Sequence, residues 1–180
     1  MRRLILRMNC SLDGCVAAAN GDLEWIFPGI DPECERWAVA QLWDAGLHLM
    51  GSHTYGDMAA HWPTSGEPYA PPMNDIPKVV FSSTLKDATW PETRIVAGDL
   101  RTEIERLKRE DGKDLLAHGG VGFARSLVRA GVVDEYRLFI HPIVVGDGPR
   151  IFDVDGPTRL QLVDAKVFER GIIATTLRPS

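Results

Sequence analysis

DLLAHGGVGFA, residues 114–124, is the stretch on which the fold of this chain depends. An apolar run ends at His118, three glycines follow within four positions, and a helical pattern of apolar residues begins at once. Glycine lets the backbone pass close to a bulky group, and a helix start offers unpaired N–H donors and a dipole that favours phosphate. The stretch therefore predicts a strand-to-helix junction, either a cradle for a dinucleotide pyrophosphate or a tight turn without a ligand.

Two other predicted strands also end in polar segments. LMGSHTYGDM, residues 49–58, ends a strand on glycine and begins a short helix that Ser52 or Thr54 can cap. FSST, residues 81–84, places three hydroxyls at a strand end, typical of a Ser/Thr turn or of a ribose phosphate site. Ligands of open α/β sheets lie outside the carboxyl ends of strands, so the three segments predict one dinucleotide site. A Rossmann fold is disfavoured, because no GxGxxG follows the first strand.

Around these junctions, short β-rich runs alternate with helical stretches, which predicts an α/β sheet flanked by helices. Strands are predicted at residues 3–8, 46–50, 78–82, 94–97, 114–118, 136–145, 160–168 and 171–177, the last three antiparallel. Helices are predicted at about 32–44, at 100–109, and from the glycines to Gly131. The Pro-rich stretch 63–77 is predicted to be a loop. Residues 1–180 are expected to form one domain.

Composition and charge narrow the class of protein. The 180 residues are 44% apolar and 25% charged, with a formal net charge of −5. A nucleic-acid-binding domain normally carries a basic patch, so no nucleic acid partner is expected. No apolar run approaches the roughly 20 residues needed to span a bilayer, and the N-terminus lacks the apolar centre of a signal peptide. We expect a cytoplasmic protein without membrane contact.

The cysteines and histidines show no metal-binding pattern. Cys10, Cys15 and Cys34 form no CxxC pair, and buried free thiols are expected. The five histidines lack HExxH or another ligand spacing, so we expect no metal site.

The first predicted strand runs into a loop that carries Asp13 and small residues. Asp13 precedes Gly14, which is typical of a turn. The small residues that follow would also let a flat nicotinamide ring lie against the backbone. Both interpretations stay open.

Four motifs in this order resemble one family: SLDG at 11–14, GSHTY at 51–55, VVFSSTL at 79–85 and HGGVGFARSLVRAGVVDEYRLFIHPIVVGDGPRIF at 118–152. The chain resembles the reductase domain of bacterial riboflavin biosynthesis and its stand-alone relatives. The resemblance implies a dihydrofolate-reductase-like, three-layer α/β fold. Its central mixed sheet would be mostly parallel, with antiparallel C-terminal strands and flanking helices.

The resemblance also implies a function: hydride transfer from NADPH to a pteridine, pyrimidine or similar small heterocycle. Two alternatives stand beside it, a riboflavin-pathway 5-amino-6-(5-phosphoribosylamino)uracil reductase and a non-catalytic dinucleotide-binding protein. The implied cofactor-binding residues are Val16, Ala17, Gly51, Ser52, His53, Thr54, Phe81, Ser82, Ser83, Thr84, His118, Gly119, Gly120, Val121, Gly122 and Phe123.

One position departs from the family. At Ser52 the family often carries Arg, which grips the 2′-phosphate of NADPH through a bidentate contact that Ser cannot make. NADH therefore stays open as the cofactor, with Arg94 and Lys86 as candidates to compensate.

The resemblance further indicates catalytic and substrate-binding candidates. Residues 25–31 resemble the stretch where dihydrofolate reductases carry a Trp and then a substrate-binding acid. Asp31 and Asp13 are thus candidate proton donors beside a bound water, a role that a raised pKa would support, with Glu33 and Glu35 as rivals to Asp31. Asp31, Glu33 and Glu35 are equally suited to a helix start. Candidate substrate contacts are Asn9, Trp25, Ile143 and Phe152.

A homodimer is the expected assembly. The family resemblance favours it, and apolar residues of the last strands are available to pair with a second subunit, namely Phe139, Ile140, Val144 and Val145. A fully internal core explains the same residues equally well.

Overall fold

A computed structural model describes residues 1–152 and 156–180. Within these residues eight strands form one sheet in the order β4-β3-β2-β5-β1-β6-β8-β7. The strands are β1 (Leu4–Ser11), β2 (Leu47–Gly51), β3 (Lys78–Phe81), β4 (Thr93–Val96), β5 (Leu115–Ala117), β6 (Glu135–His141), β7 (Leu160–Val167) and β8 (Ile173–Pro179). The predicted α/β class with its flanking helices is confirmed.

Strands β1 to β6 are all parallel, and β1 lies at the centre between β5 and β6. The prediction that β6 is antiparallel is wrong with respect to β1: the two run parallel from Ile5↔Glu135 to Ser11↔His141. β8 is antiparallel to β6 and to β7. β6 also ends at His141, four residues before its predicted end, because Pro142 has no N–H to donate to a ladder.

The sheet is flanked by five α-helices in the described residues: α1 (Pro32–Trp43), α2 (Ser52–His61), α3 (Ala70–Asp75), α4 (Leu100–Arg109) and α5 (Val121–Arg129). Two 3-10 helices, Glu24–Gly29 and Trp62–Thr64, add short turns. The Pro-rich stretch predicted to be a loop contains α3. Proline is tolerated there because it lies in the first turn, where N–H groups have no helical partner.

The two faces of the sheet differ in character. Along β1, Leu4, Leu6 and Met8 point to the face covered by α4 and α5, where one large apolar cluster forms. On the other face, covered by α1, α2 and α3, the apolar residues form two separate clusters, one around Met50 and Trp90 and one around Phe139 and Phe168. Polar side chains occupy the space between these two clusters. Within the described part of the chain, none of the helices has the length and apolarity to cross a membrane.

Candidate functional site

A cleft of about 440 Å³ opens at the carboxyl edge of the sheet, where α2 and α5 begin. The parallel register of β2 with β3 and β5 brings the loops that follow these strands to one place. The cleft is lined by Gly51, Ser52, His53, Thr54, Phe81, Gly120, Val121, Gly122 and Phe123. All nine are among the residues that the sequence predicts for a dinucleotide.

The three glycines of the junction are required, or not required, by the fold for different physical reasons. At Gly119 a Cβ atom would lie 3.0 Å from Met8 Sδ. Gly120 has a φ of +104°, and its Cβ would collide with Thr54 Oγ1, which donates a hydrogen bond to Gly119 O at 2.8 Å. Gly122 differs, because its Cβ would meet nothing within 4 Å. The fold explains the first two glycines, whereas Gly122 leaves open space in the cleft.

The helix starts at the cleft are not capped by side chains. α1 and α4 begin with Asp31 and Asp99, whose carboxylates accept hydrogen bonds from the first backbone N–H groups. α2 and α5 begin with Gly51 and Gly120, which have no side chain to do so. The first N–H groups of two helices, and the positive ends of their dipoles, therefore remain available to an anion at this cleft.

The segment after β3 plays two parts. Ser82 Oγ accepts hydrogen bonds from the N–H groups of Thr84 at 3.2 Å and Leu85 at 2.9 Å, so this hydroxyl holds a turn. Ser83 and Thr84 are exposed beside it. Phe81 lies with its ring centroid 5.2 Å from that of Phe123, and this aromatic pair forms an apolar wall of the cleft.

His118 is buried beneath the glycine turn. Its Nε2 contacts Nδ1 of His48, and the two rings are parallel with centroids 4.6 Å apart. Burial lowers the pKa of His48 to about 3 and that of His118 well below its ordinary value, so both rings are neutral. His118 therefore supports the cleft from below as an uncharged side chain.

Val16 and Ala17 lie outside this cleft, in the loop after β1. Val16 N–H donates to Pro149 O at 2.9 Å, which joins this loop to the one after β6. Asp13 reinforces the junction: its carboxylate accepts hydrogen bonds from Ser11 Oγ at 2.6 Å, Val145 N at 3.1 Å and Gly146 N at 2.8 Å. These hydrogen bonds, that of Ser11 first, hold the pKa of Asp13 well below its usual range.

Asp31 is the N-cap of α1. Its carboxylate accepts hydrogen bonds from Glu33 N at 2.9 Å, Cys34 N at 2.8 Å and Arg170 N at 3.3 Å. The N–H of Cys34 contributes most to lowering the pKa of Asp31. Glu33 pairs with Lys166 at 2.8 Å. Asp13 and Asp31 thus have lowered pKa values, the opposite of the raised pKa that proton donation requires.

The predicted substrate residues are only partly brought together. Asn9 Oδ1 lies 3.0 Å from His141 Nε2, and the Trp25 ring stands edge-on to His141 with centroids 5.3 Å apart. Ile143 is exposed just beyond β6. Phe152 packs against Tyr136, near the start of β6 and on the α4–α5 face, apart from Asn9 and Trp25. This arrangement follows from side-chain alternation, which points Tyr136 and His141 to opposite faces.

His141 is not among the site residues that the sequence predicts. His141 lies at the carboxyl end of a strand parallel to β1, and this position would have indicated a site residue. It can be recognised only when the pairing of the strands is known. Burial lowers the pKa of His141 to about 4, and its Nδ1 is buried without a hydrogen-bond partner.

The two cations considered for a 2′-phosphate lie in different places. Arg94 pairs with Glu110 at 3.1 Å, and Glu110 also contacts Arg2 just before β1, at the amino edge of the sheet. Arg94 therefore lies at the wrong edge to compensate for Ser52. Lys86 is exposed in the loop after β3.

Comparison with known proteins places the chain in a family. The model of the RibD C-terminal domain matches residues 2–174. The uncharacterised protein YyaP of Bacillus subtilis (strain 168) is 28% identical over 178 residues, covering 96% of this chain and 92% of that protein.

Solved structures share the fold at low identity. A putative riboflavin biosynthesis protein from Shewanella sp. PV-4 superposes with a TM-score of 0.80 at 21% identity, covering 99% of both chains. A diaminohydroxyphosphoribosylaminopyrimidine deaminase/5-amino-6-(5-phosphoribosylamino)uracil reductase from Thermotoga maritima gives 0.70 at 18% identity, covering 99% of this chain and 57% of that one. A pyrimidine reductase-like protein from Corynebacterium diphtheriae gives 0.65 at 15% identity, covering 99% and 92%. The sequence match and the shared fold lead to one conclusion: this chain belongs to the RibD C-terminal domain family.

Proposed function

We propose that this protein is a cytoplasmic, NADPH-dependent reductase that transfers a hydride to a small heterocycle such as a pteridine or pyrimidine. The observation that carries the proposal is the cleft at the starts of α2 and α5, where two uncapped helices and the open position of Gly122 meet. Backbone N–H donors at two helix starts suit the phosphates of a dinucleotide, and the Phe81–Phe123 wall suits its apolar rings.

The chain's own residues bind and orient in this proposal, while the dinucleotide supplies the hydride when bound. Residues 120–123 and 51–54 hold the phosphates. The loop with Val16 and Ala17, which Asp13 ties to the loop after β6, faces the nicotinamide. The heterocycle contacts Asn9 and Trp25. Water delivers the proton, since Asp13 and Asp31 are held in the ionised form.

A riboflavin-pathway activity is the second candidate. Membership of the RibD C-terminal domain family supports it, as does the shared fold of a Thermotoga maritima protein described as a 5-amino-6-(5-phosphoribosylamino)uracil reductase. That substrate carries a sugar phosphate, so the candidate needs a cation in the substrate site. A non-catalytic dinucleotide-binding protein is the third possibility, and turnover separates it from the others.

The test compares two glycines by titration with NADPH and NADH. Gly122 and Gly56 both lie in helices, and a Cβ at either would meet nothing within 4 Å. We expect Gly122→Leu to weaken dinucleotide binding at least tenfold, roughly 1.4 kcal/mol, without lowering the melting temperature, because leucine is a better helix former than glycine. Gly56→Leu, outside the cleft, is the matched control. If Gly122→Leu binds the dinucleotides as tightly as Gly56→Leu does, the dinucleotide does not bind in this cleft.

Turnover is then measured as loss of NADPH absorbance with quinonoid pteridines, folates and ribosylaminopyrimidines. Failure to bind either dinucleotide would end the reductase proposal. Tight binding without oxidation of any compound would favour the non-catalytic alternative.

A further inference from the structure

Unpaired polar atoms are concentrated on one face of the sheet. In the described residues, five buried side-chain atoms lack a hydrogen-bond partner: Arg7 Nε, Trp25 Nε1, His48 Nε2, Trp62 Nε1 and His141 Nδ1. All five belong to side chains on the face covered by α1, α2 and α3. Leaving a buried polar group unpaired costs free energy, so such atoms are few in native proteins. This face therefore carries the unmet hydrogen-bonding capacity of the described residues.

Arg7 is the most unusual of these groups because it carries a charge. It lies in the middle of β1, with Cζ 4.8 Å from the centre of the Phe139 ring. Neither a hydrogen bond nor an ion pair joins its guanidinium to any residue in ranges 1–152 and 156–180. Arg7 is half-buried, with its Nε enclosed. Other cations with little exposure are paired: Lys78 Nζ donates to the carbonyls of Met73, Asn74 and Ile76, and Arg137 pairs with Glu135.

The neighbours of Arg7 supply no negative charge. Leu6 pairs with Ala117, so the next residues, Arg7 and His118, lie side by side on adjacent strands. His118 contacts His48 on β2, and both histidines are neutral. The other groups that interact electrostatically with Arg7 are Tyr69, Cys34 and Arg137, and burial raises the pKa of Tyr69 to about 12 and that of Cys34 to about 11. The guanidinium therefore has no counterion between the two apolar clusters of this face.

Arg7 also points to the same face as the candidate substrate residues. Asn9 follows it by two positions along β1, about 7 Å closer to the carboxyl edge. Asn9 contacts His141, and Trp25 stands against His141. A molecule seated on Asn9 and Trp25 with an extension toward the middle of β1 would reach the guanidinium.

We propose that Arg7 binds an anionic group of the heterocyclic substrate, a phosphate or a carboxylate. The proposal rests on the proposed function and adds the class of substrate to it. A half-buried charge without a partner is partly desolvated at a cost, and an anion offsets that cost while accepting two parallel hydrogen bonds from the planar guanidinium. Arg7 is thus a specificity-determining residue, and it supplies the cation that a sugar phosphate substrate needs.

The first measurement uses matched compounds and calorimetric binding to the protein, both alone and loaded with NADP⁺, which has no hydride to transfer to the compounds. One pair is 5-amino-6-(5-phosphoribosylamino)uracil and its dephosphorylated form; the other is dihydrofolate and a dihydropteridine without carboxylates. The wild type is expected to bind the anionic member of one pair at least about tenfold more tightly, as for a hydrogen bond to a charged group. The pair that shows the preference identifies phosphate or carboxylate as the group.

The variants assign this preference to Arg7. Arg7→Met removes the charge at similar volume and is expected to abolish the preference, with NADPH affinity unchanged; Arg7→Lys keeps part of it. Arg109→Met is the matched control, because Arg109 is exposed at the end of α4, at the opposite edge of the sheet. Arg7→Met is also expected to raise the melting temperature, since it removes an uncompensated, half-buried charge. A purely structural Arg7 would give a lower melting temperature instead.

Two results would overturn the proposal: a wild type without preference in either pair, or an Arg7→Met variant that retains the preference. If Arg7→Met does not fold, retention of the full preference by Arg7→Gln has the same meaning. Failure of the reductase proposal looks different. Anion preference that depends on Arg7, together with absent NADPH binding, would keep this site and reject the reductase.

Discussion

His48, His118 and His141 are buried as neutral rings, and their burial makes the stability of the protein depend on pH. Burial lowers the pKa of His48 to about 3 and of His141 to about 4, and it lowers that of His118 well below its ordinary value. The unfolded chain binds protons on these rings near pH 6.5, whereas the folded chain does not. Their contribution is therefore fully present above pH 6.5 and is lost as the pH falls from there toward 4.

We expect the free energy of unfolding to fall below pH 6.5 by up to about 1.4 kcal/mol per pH unit for each histidine. Asp13 and Asp31 do not affect this window, because their lowered pKa values cause loss of stability only below the unfolded value near 4. His141→Gln should reduce the slope by one histidine while an amide still faces Asn9. Thermal unfolding between pH 5 and 8 measures it, with exposed His53→Gln as control. A flat profile would show that these rings are protonated when folded.

Residue roles were harder to predict than residue positions. The sequence predicted the glycine turn because glycine at 119 and 120 reflects local backbone demands. Asp31 is the N-cap of α1, as one of the two sequence interpretations proposed, because capping also depends on local chemistry. Arg7 gave no signal, because an unpaired charge is recognised only when every side chain around it is known, and those side chains come from distant parts of the chain, such as Cys34, Tyr69 and His118.

The loops after β1 and β6 are joined by backbone hydrogen bonds and by the carboxylate of Asp13. Asp13 accepts hydrogen bonds from the N–H groups of Val145 and Gly146, so both loops depend on it. We expect Asp13→Asn to speed amide hydrogen exchange at these two positions, because an amide oxygen is a weaker acceptor than a carboxylate. Asp22→Asn, in the same loop, is the control. Unchanged exchange with a large loss of turnover would instead make Asp13 a proton donor.

Element bounds were predicted best where local chemistry decides them. α4 occurs at the predicted residues, because Asp99 caps its start and apolar residues recur on one face. β6 was predicted too long and in the wrong direction relative to β1, since strand direction depends on pairing partners more than 120 residues apart, as in Ile5↔Glu135. α3 was missed because prolines in a first helical turn look like loop residues.

One edge of the whole sheet is long and apolar. In β7, Leu162 is 57% exposed, Val163 45% and Val167 68%. Exposed apolar edge strands invite pairing with another chain, and a two-fold axis would join two such edges. We propose a homodimer through β7. The earlier suggestion from Phe139 is wrong for that residue, which is buried inside its own chain.

Light scattering should therefore give about twice the chain mass of 19.9 kDa. Val163→Lys combined with Val167→Lys is expected to give monomers, because charges on an edge strand block pairing. Thr89→Lys, on an exposed loop, should remain dimeric. A monomeric wild type at all concentrations would refute this assembly.

The central place of β1 has a consequence for how the chain is made. β1 leaves the ribosome long before its partner strands, because it pairs with Leu115 on one side and with residues from Glu135 to His141 on the other. The apolar side chains of β1 therefore have no partner strands to pack beside until the residues up to His141 have been synthesised. We expect folding in one late step after His141 has emerged, with the nascent N-terminal half relying on chaperones to stay unaggregated.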